Sequence, residues 1–239
     1  MKKRRPSRGV ERHPKNPMKL LSVNVSLPRT VHWKGHEVTT GIFKEPVAGL
    51  VMLRRLDLDG DQQADLSVHG GPDKAVYAYP SEHYPFWKKE LPEMELPWGM
   101  FGENFTTEGL NEENTHIGDH FRIGGAVAAV TQPRTPCYKL GIKFGRDDIL
   151  KRFLDSKRSG FYLAVLEEGP VQAGDPIERI HLDENGVTIA DLNGIYVNGL
   201  EDSALLLRAL RVETLAKSWR RYLSQELQKL EGRAPVEPK

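Results

Sequence analysis

Apolar and polar positions along this chain follow two different periods. From Met18 to about Ile180, short β-prone runs are broken by Gly, Pro and Asp. Residues 20–25 and 37–42 form two such runs, and residues 50–56 lead into a turn at Asp59-Gly60-Asp61. Residues 121–123 and 126–130 flank Gly124-Gly125, and residues 161–166 are apolar on both faces, as in a strand buried on both sides. Many short strands at regular spacing favour a barrel over a doubly wound sheet. Gly118-Asp119 and Gly174-Asp175 each precede a β run, as tight turns entering strands do. Two short helices interrupt the strands. Ser81 is placed to cap one carrying Tyr84 and Trp87, and Asp147 or Asp148 to cap another with Ile149, Leu150, Phe153 and Leu154 on one face.

After residue 185 the period becomes helical. Thr188 and Asp191 have capping-box spacing, and Asn198-Gly199 is a stop signal. A second helix is expected from Asp202 to Arg211, and a third carries Leu215, Trp219, Tyr222, Leu223, Leu227 and Leu230 at intervals of mostly three and four. Three short helices in this space form a small bundle, packed on the barrel or on a partner. The fold class is therefore α+β, mainly β. A DNA-binding helix-turn-helix is disfavoured, because acids and bases mix without a basic recognition face.

Composition adds the boundaries. The 239 residues, 38% hydrophobic and 28% charged with 22 Gly and 16 Pro, describe an ordered, soluble, turn-rich chain. No apolar run approaches the roughly 18–20 residues that span a bilayer. The net charge of +1 hides a split: residues 1–17 hold seven Lys or Arg and one acid, contributing +6 and leaving the rest at −5. That body has no global basic balance for nucleic acid. With no apolar segment behind it, the basic stretch is not a secretory signal; a disordered extension is expected, with Met18 a candidate first residue and a nucleic-acid arm the alternative. The expected layout is an extension at 1–17, a barrel at 18–184 and helices at 185–239. A single cysteine rules out an intramolecular disulfide framework and fits a reducing cytoplasm.

Three clusters can carry chemistry. The densest runs from Thr131 through Pro133, Arg134 and Pro136 to Cys137 and Lys139. Two prolines restrict the loop that holds the thiol, and Arg134 and Lys139 supply positive potential that favours thiolate, the form that binds soft metals. A buried structural cysteine is the plain alternative. The second cluster is His69-Gly70-Gly71-Pro72-Asp73-Lys74, where two glycines allow close backbone approach and Lys74 can meet a phosphate. A tight turn with a satisfied histidine explains the same residues. The third contains Glu103 and Asn104 between apolar neighbours, read either as polar groups aimed into a cavity or as a bulged strand start. Arg29, Lys34 and Lys44 could complete a phosphate pocket with Arg134, or be solvated surface charges; Arg158 lies on a basic loop or polar turn. No Walker loop, dinucleotide fingerprint, HExxH or nucleophile-elbow pattern occurs. The eight histidines do not pair at helical metal spacing, which leaves a zinc hydrolase as a runner-up only.

Taken in order, these segments resemble the YiiM-like branch of the MOSC family, named for the C-terminal domain of molybdenum cofactor sulfurases. The matching text is LPRTVHWKGHEVTTGIFKEPV, LDGDQQADLSVHGGPDKAVYAYPSEHY, GMFGENFTTEGLNEENTHIGD, TQPRTPCYKLGIKFG and RSGFYLAVLEEGPVQAGD, followed by a tail similar to that branch's three-helix extension. The resemblance implies a MOSC-type β-barrel with flanking helices and a C-terminal three-helix bundle. It implies a molybdenum cofactor of the molybdopterin type, with Cys137 as metal ligand and catalytic residue. It also implies reduction of N-hydroxylated bases such as hydroxylaminopurine, with electrons from a separate NAD(P)H-dependent flavoprotein. Motif position and chemistry assign Arg29, Thr30, Lys34, Lys44, His69, Gly70, Gly71, Lys74, Glu103, Asn104, Arg134 and Arg158 to the cofactor pocket. Glu103 or an ordered water is a candidate proton source. A homodimer stays open. The competing functions are a pterin carrier or sensor without turnover, and a nucleic-acid-associated protein using its basic arm.

Overall fold

The computed structural model describes residues 17–64, 70–199 and 203–232. Residues 1–16 of the basic extension, His69 and Asp202 therefore lie outside the described residues.

The strands are β1 (Met18–Val25), β2 (Arg29–Trp33), β3 (His36–Thr40), β4 (Glu45–Pro46), β5 (Val51–Leu53), β6 (Val76–Pro80), β7 (Phe105–Glu108), β8 (His120–Ile123), β9 (Ala126–Pro133), β10 (Phe161–Glu167), β11 (Gly169–Val171) and β12 (Pro176–His181). Seven of them close a barrel in the order β1-β12-β8-β9-β10-β6-β7 and back to β1, with β4 added beside β1. Every neighbouring pair in the barrel is antiparallel except β6 and β7. The parallel pair requires a crossover, and residues 81–104, with a short helix, provide it. Strands β2 and β3 form a separate hairpin, and β5 pairs with β11.

The barrel interior follows from alternation. Val76 and Ala78 of β6 face inward to meet Phe105, Val130, Phe161 and Leu163, whereas Tyr77 and Tyr79 point to the other face. There they join a second, aromatic core with Trp87 of α1 (Tyr84–Glu90), Leu140 and Phe144 of α2 (Tyr138–Phe144), and Phe153 of α3 (Ile149–Ser156). Phe101 stacks on Tyr79 at 4.4 Å between centroids, and Trp87 donates its indole N–H to Tyr79 Oη at 2.7 Å, which satisfies both buried polar groups.

The C-terminal segment folds as α4 (Ile189–Asn198), α5 (Ser203–Arg211) and α6 (Lys217–Glu231). The expected capping box is present: Thr188 Oγ1 accepts from Asp191 N–H at 3.0 Å, and Asp191 Oδ2 accepts from Thr188 N–H at 2.9 Å. Leu192, Ile195, Leu206, Leu215, Trp219 and Leu223 belong to the same apolar cluster as the barrel interior, so the helices share one core with it. At the start of α3, Asp148 sits at the N-cap but makes no capping bond; its carboxylate instead takes Arg146 and Arg152. Among the described residues no helix is long and apolar enough to cross a membrane.

Candidate functional site

A bulge in β9 positions the site. Opposite β10, Gln132 pairs with Tyr162 and Val130 with Leu163, so Thr131 is the extra residue. Its freed groups are used: Thr131 Oγ1 donates to the Asp73 carbonyl at 2.7 Å, and the Thr131 carbonyl accepts from Ala216 N–H at 3.2 Å. The bulge thus ties the end of β9 to the turn holding Lys74 and to the start of α6. Gly160, at φ 61°, lets β10 begin against β6; a Cβ there would sit 2.4 Å from the Ala78 carbonyl oxygen.

Beyond the bulge lies a cavity of about 600 Å³. Its walls come from the end of β9 and the start of α2 (Gln132, Arg134 and Cys137 to Lys139), from Tyr77 and Tyr162, and from Thr40, Gly41, Ile42, Lys44, Gly102, Asn104, Lys74 and Gly70. Gln62 and Gln63 border it as well. Cys137 is half-buried at the N-cap position of α2 in an extended conformation. The alternative of a cysteine packed in dry apolar core is thereby set aside.

Arg134 is the organising cation. It is 7% exposed, donates through Nη1 to the Phe101 carbonyl at 2.7 Å, and lies 4.6 Å above the Tyr77 ring and 5.4 Å from that of Phe153. Tyr77 is fixed in turn by donating its hydroxyl to the Ser159 carbonyl at 2.7 Å. Burial raises the pKa of Tyr162 above the ordinary phenol value, so its hydroxyl stays protonated at neutral pH. Lys44 reaches the rim with its ammonium held by both oxygens of the buried Asp61 carboxylate, and burial lowers its pKa. Burial lowers the pKa of Lys74 also. Arg134, Lys74 and Lys139 border the cavity together with Lys44, whose charge the buried Asp61 offsets, while no described lining residue is a carboxylate. That balance suits an anion.

Of the residues assigned from sequence, Lys44, Gly70, Lys74, Asn104, Arg134 and Cys137 meet at this cavity. Others do not. Arg29 covers Phe43 at 3.7 Å, on the opposite side of the segment whose Ile42 and Lys44 form the wall. Thr30 exchanges a hydroxyl contact with Thr39 at 2.9 Å within the exposed β2–β3 hairpin. Lys34 pairs with Asp147 at 2.5 Å on the surface. Arg158 stacks 4.0 Å over Phe86 and donates to the Ser156 carbonyl at 3.1 Å. Gly71 shapes the turn, its carbonyl accepting Lys74 N–H at 3.0 Å, without lining the wall.

Glu103 requires the largest correction. It is fully buried behind the wall, where its carboxylate accepts from Tyr84 Oη, Gly99 N–H at 2.8 Å, Phe101 N–H at 3.0 Å and Thr106 Oγ1 at 3.1 Å. It organises the turn before β7 and faces away from the cavity. Asn104 borders the cavity, but its amide is committed: Oδ1 accepts from Tyr77 N–H at 3.2 Å, and Nδ2 donates to Asp61 at 2.8 Å and to the Asn24 carbonyl at 3.3 Å. It braces the wall. Sequence reasoning missed Tyr77, Tyr162, Tyr138, Gln62 and Gln63; the alternation in Val76-Tyr77-Ala78-Tyr79 was a readable signal for the first of these.

Comparison with known proteins places this architecture. The MOSC domain profile matches residues 65–178, and that of the YiiM-like, 3-alpha helix domain matches residues 187–230. The chain belongs to the MOSC-domain family, in the YiiM-like branch that carries the helical extension. It is 44% identical over 201 residues to uncharacterized protein YflK of Bacillus subtilis, covering 84% of this chain and 90% of that one. The crystal structure of YiiM from Geobacillus stearothermophilus superposes with a TM-score of 0.74 at 34% identity, over 88% of this chain and all of the other. A protein named reductase from Gibberella moniliformis is 38% identical over 149 residues, covering 61% of this chain and 26% of that longer protein.

Proposed function

We propose that this chain is a molybdenum-cofactor-dependent oxidoreductase that reduces N-hydroxylated compounds, hydroxylaminopurine-type bases among them. The observation carrying the proposal is the convergence of a half-buried thiol, Cys137, with a buried guanidinium, Arg134, on one cationic cavity. At about 600 Å³ the cavity falls within the roughly 300–1,000 Å³ range of small-molecule and cofactor sites. Its donor set fits the group: sulfur from Cys137 for a soft metal, and Arg134, Lys74 and Lys139 for the pterin phosphate. A relative named reductase is in keeping with this chemistry.

When bound, a molybdenum centre supplies two-electron redox chemistry. The overall reaction consumes two electrons and two protons: the N–O bond of R–NH–OH breaks, and R–NH₂ and water form. Electrons come from outside, because the chain carries no recognisable flavin or nicotinamide motif; a reduced flavoprotein is the proposed donor. Arg134 is pre-oriented by Phe101 and Tyr77, so little side-chain order is lost when an anion binds. Tyr162 lines the cavity, and burial keeps the proton on its Oη at neutral pH.

Expression in a cofactor-competent host, followed by molybdenum and pterin analysis and a reduction assay, tests the reading. Stoichiometric metal with substrate-dependent electron consumption is expected. Bound cofactor without turnover would indicate a carrier or sensor, and absence of both molybdenum and pterin would remove the proposal.

A further inference from the structure

Tyr138 stands at the cavity mouth directly after Cys137. It is 53% exposed, and among the described residues it is the one exposed large apolar side chain that borders the cavity. Its ring makes no hydrogen bond, ring contact or cation contact among the described residues, unlike the other tyrosines of this wall. Exposing an aromatic face costs hydrophobic free energy unless something covers it. The backbone that carries the ring is fixed, since Tyr138 opens α2 and that helix is anchored through Leu140 and Phe144 in the aromatic core.

The same cavity is bordered by Gln62 and Gln63, whose side-chain amides make no hydrogen bond among the described residues. Each can donate and accept, as the edge of a nitrogen heterocycle requires. A free aromatic face and uncommitted amides lining one cavity suit a planar base: stacking on the face, hydrogen bonds at the edge.

Building on the function proposed above, we infer that Tyr138 is a specificity-determining residue whose ring stacks the planar heterocycle of the substrate, so that N-hydroxylated aromatic bases are preferred over N-hydroxylated aliphatic compounds. The ring contributes binding to an aromatic substrate and little to a small aliphatic one, so its effect appears as a ratio.

The test uses full-length, cofactor-loaded protein as wild type, Tyr138→Ala and Tyr138→Phe, with pterin and molybdenum measured for each. Reduction of 6-hydroxylaminopurine and of N-methylhydroxylamine is compared with a chemical electron donor, and purine binding is measured separately by equilibrium dialysis. Tyr138→Ala is expected to lower the purine-to-aliphatic ratio of kcat/KM about tenfold, mainly through KM, and to weaken purine binding equally. Tyr138→Phe, which keeps the ring, is expected to restore the preference. Equal losses on both substrates, or a Tyr138→Ala protein depleted in pterin, would overturn the inference, the latter assigning the ring to the cofactor. If wild type turns over neither substrate, the reductase reading fails while dialysis still decides the stacking role: unchanged purine binding in Tyr138→Ala overturns it.

Discussion

Asp73 caps helix α6 from a distant part of the chain: its Oδ2 accepts the Lys217 N–H at 3.1 Å. The residue at the N-cap, Ala216, has no side-chain acceptor of its own, so the carboxylate satisfies a helix N–H that would otherwise lack a partner. Because Lys74 follows Asp73, this contact joins the helical extension to the cationic rim. Ser218 Oγ, one residue further on, lies 3.3 Å from Gln132 Oε1 on the cavity wall.

Asp73→Ala should therefore destabilise the whole fold by about 1 kcal/mol, the usual worth of an N-cap. For a chain of this size that lowers Tm by about 2–4 °C. Asp73→Asn, which keeps an acceptor oxygen, should lose less. Calorimetry decides it: equal melting of wild type and Asp73→Ala would mean the cap contributes nothing.

Glu103 separates a structural carboxylate from a catalytic one. Glu103→Gln replaces one acceptor oxygen by an amide facing N–H or O–H donors, and should cost about 1.5–3 kcal/mol. Burial raises its carboxyl pKa, as in many proton donors, but Glu103 does not line the cavity. The expected outcome is reduced denaturant resistance with an unchanged pH–rate profile. A lost limb of that profile in the folded variant would give Glu103 back its place in proton transfer.

The contrast between these acids indicates what was legible in the sequence. Local signals transferred in outline: the Thr188–Asp191 capping box, the existence of the residues 161–166 strand and the helical spacing of Trp219 to Leu230 depend on near neighbours. The strand, however, is fully buried only on its Phe161, Leu163 and Val165 face, with Leu166 exposed, and Leu215 lies before α6. The grouping of Cys137, Arg134 and Lys74 was also visible, because short Pro- and Gly-restricted segments carried them. Side-chain direction was not. Glu103 turns inward because Gly99 and Phe101 present their N–H groups to it, and Lys34 is drawn off by Asp147, far along the chain. Helix α2 was invisible since its seven residues follow Pro136 and include Gly141; its stability comes from Leu140 and Phe144 in the aromatic core. Strand β6 was missed because it is buried at every position, so its alternation is one of small against aromatic residues rather than apolar against polar, and its tyrosines face a core built by residues 84–153.

Lys143, on α2, carries a pH dependence. Burial lowers its pKa from 10.5 to about 8, with nearby Arg29 and Lys44 adding to the effect. Below about pH 8 both folded and unfolded chains hold this proton, and the burial penalty is fully present. Between about 8 and 10.5 the unfolded chain binds more of it, so this group makes the fold more stable as pH rises through that window. Acetylation of Lys143, followed by peptide mass spectrometry, should level off above about pH 8, well below an ordinary lysine. A rate still climbing toward pH 10.5 would contradict the shift.

The central claim rests on the sulfur of Cys137, and Cys137→Ser tests it. Serine keeps most of the side-chain shape but offers no soft ligand, so the fold should be little changed while molybdenum coordination alters and turnover collapses. Arg134→Ala should instead weaken pterin retention, with partial recovery in excess cofactor. The decisive measurement is reduction of hydroxylaminopurine by Cys137→Ser at saturating electron donor, with molybdenum content determined on the same sample. The account predicts loss of turnover by at least about a hundredfold in a folded protein, the scale at which removing a group that stabilises the transition state is felt; full turnover by a folded, molybdenum-loaded Cys137→Ser protein would contradict it.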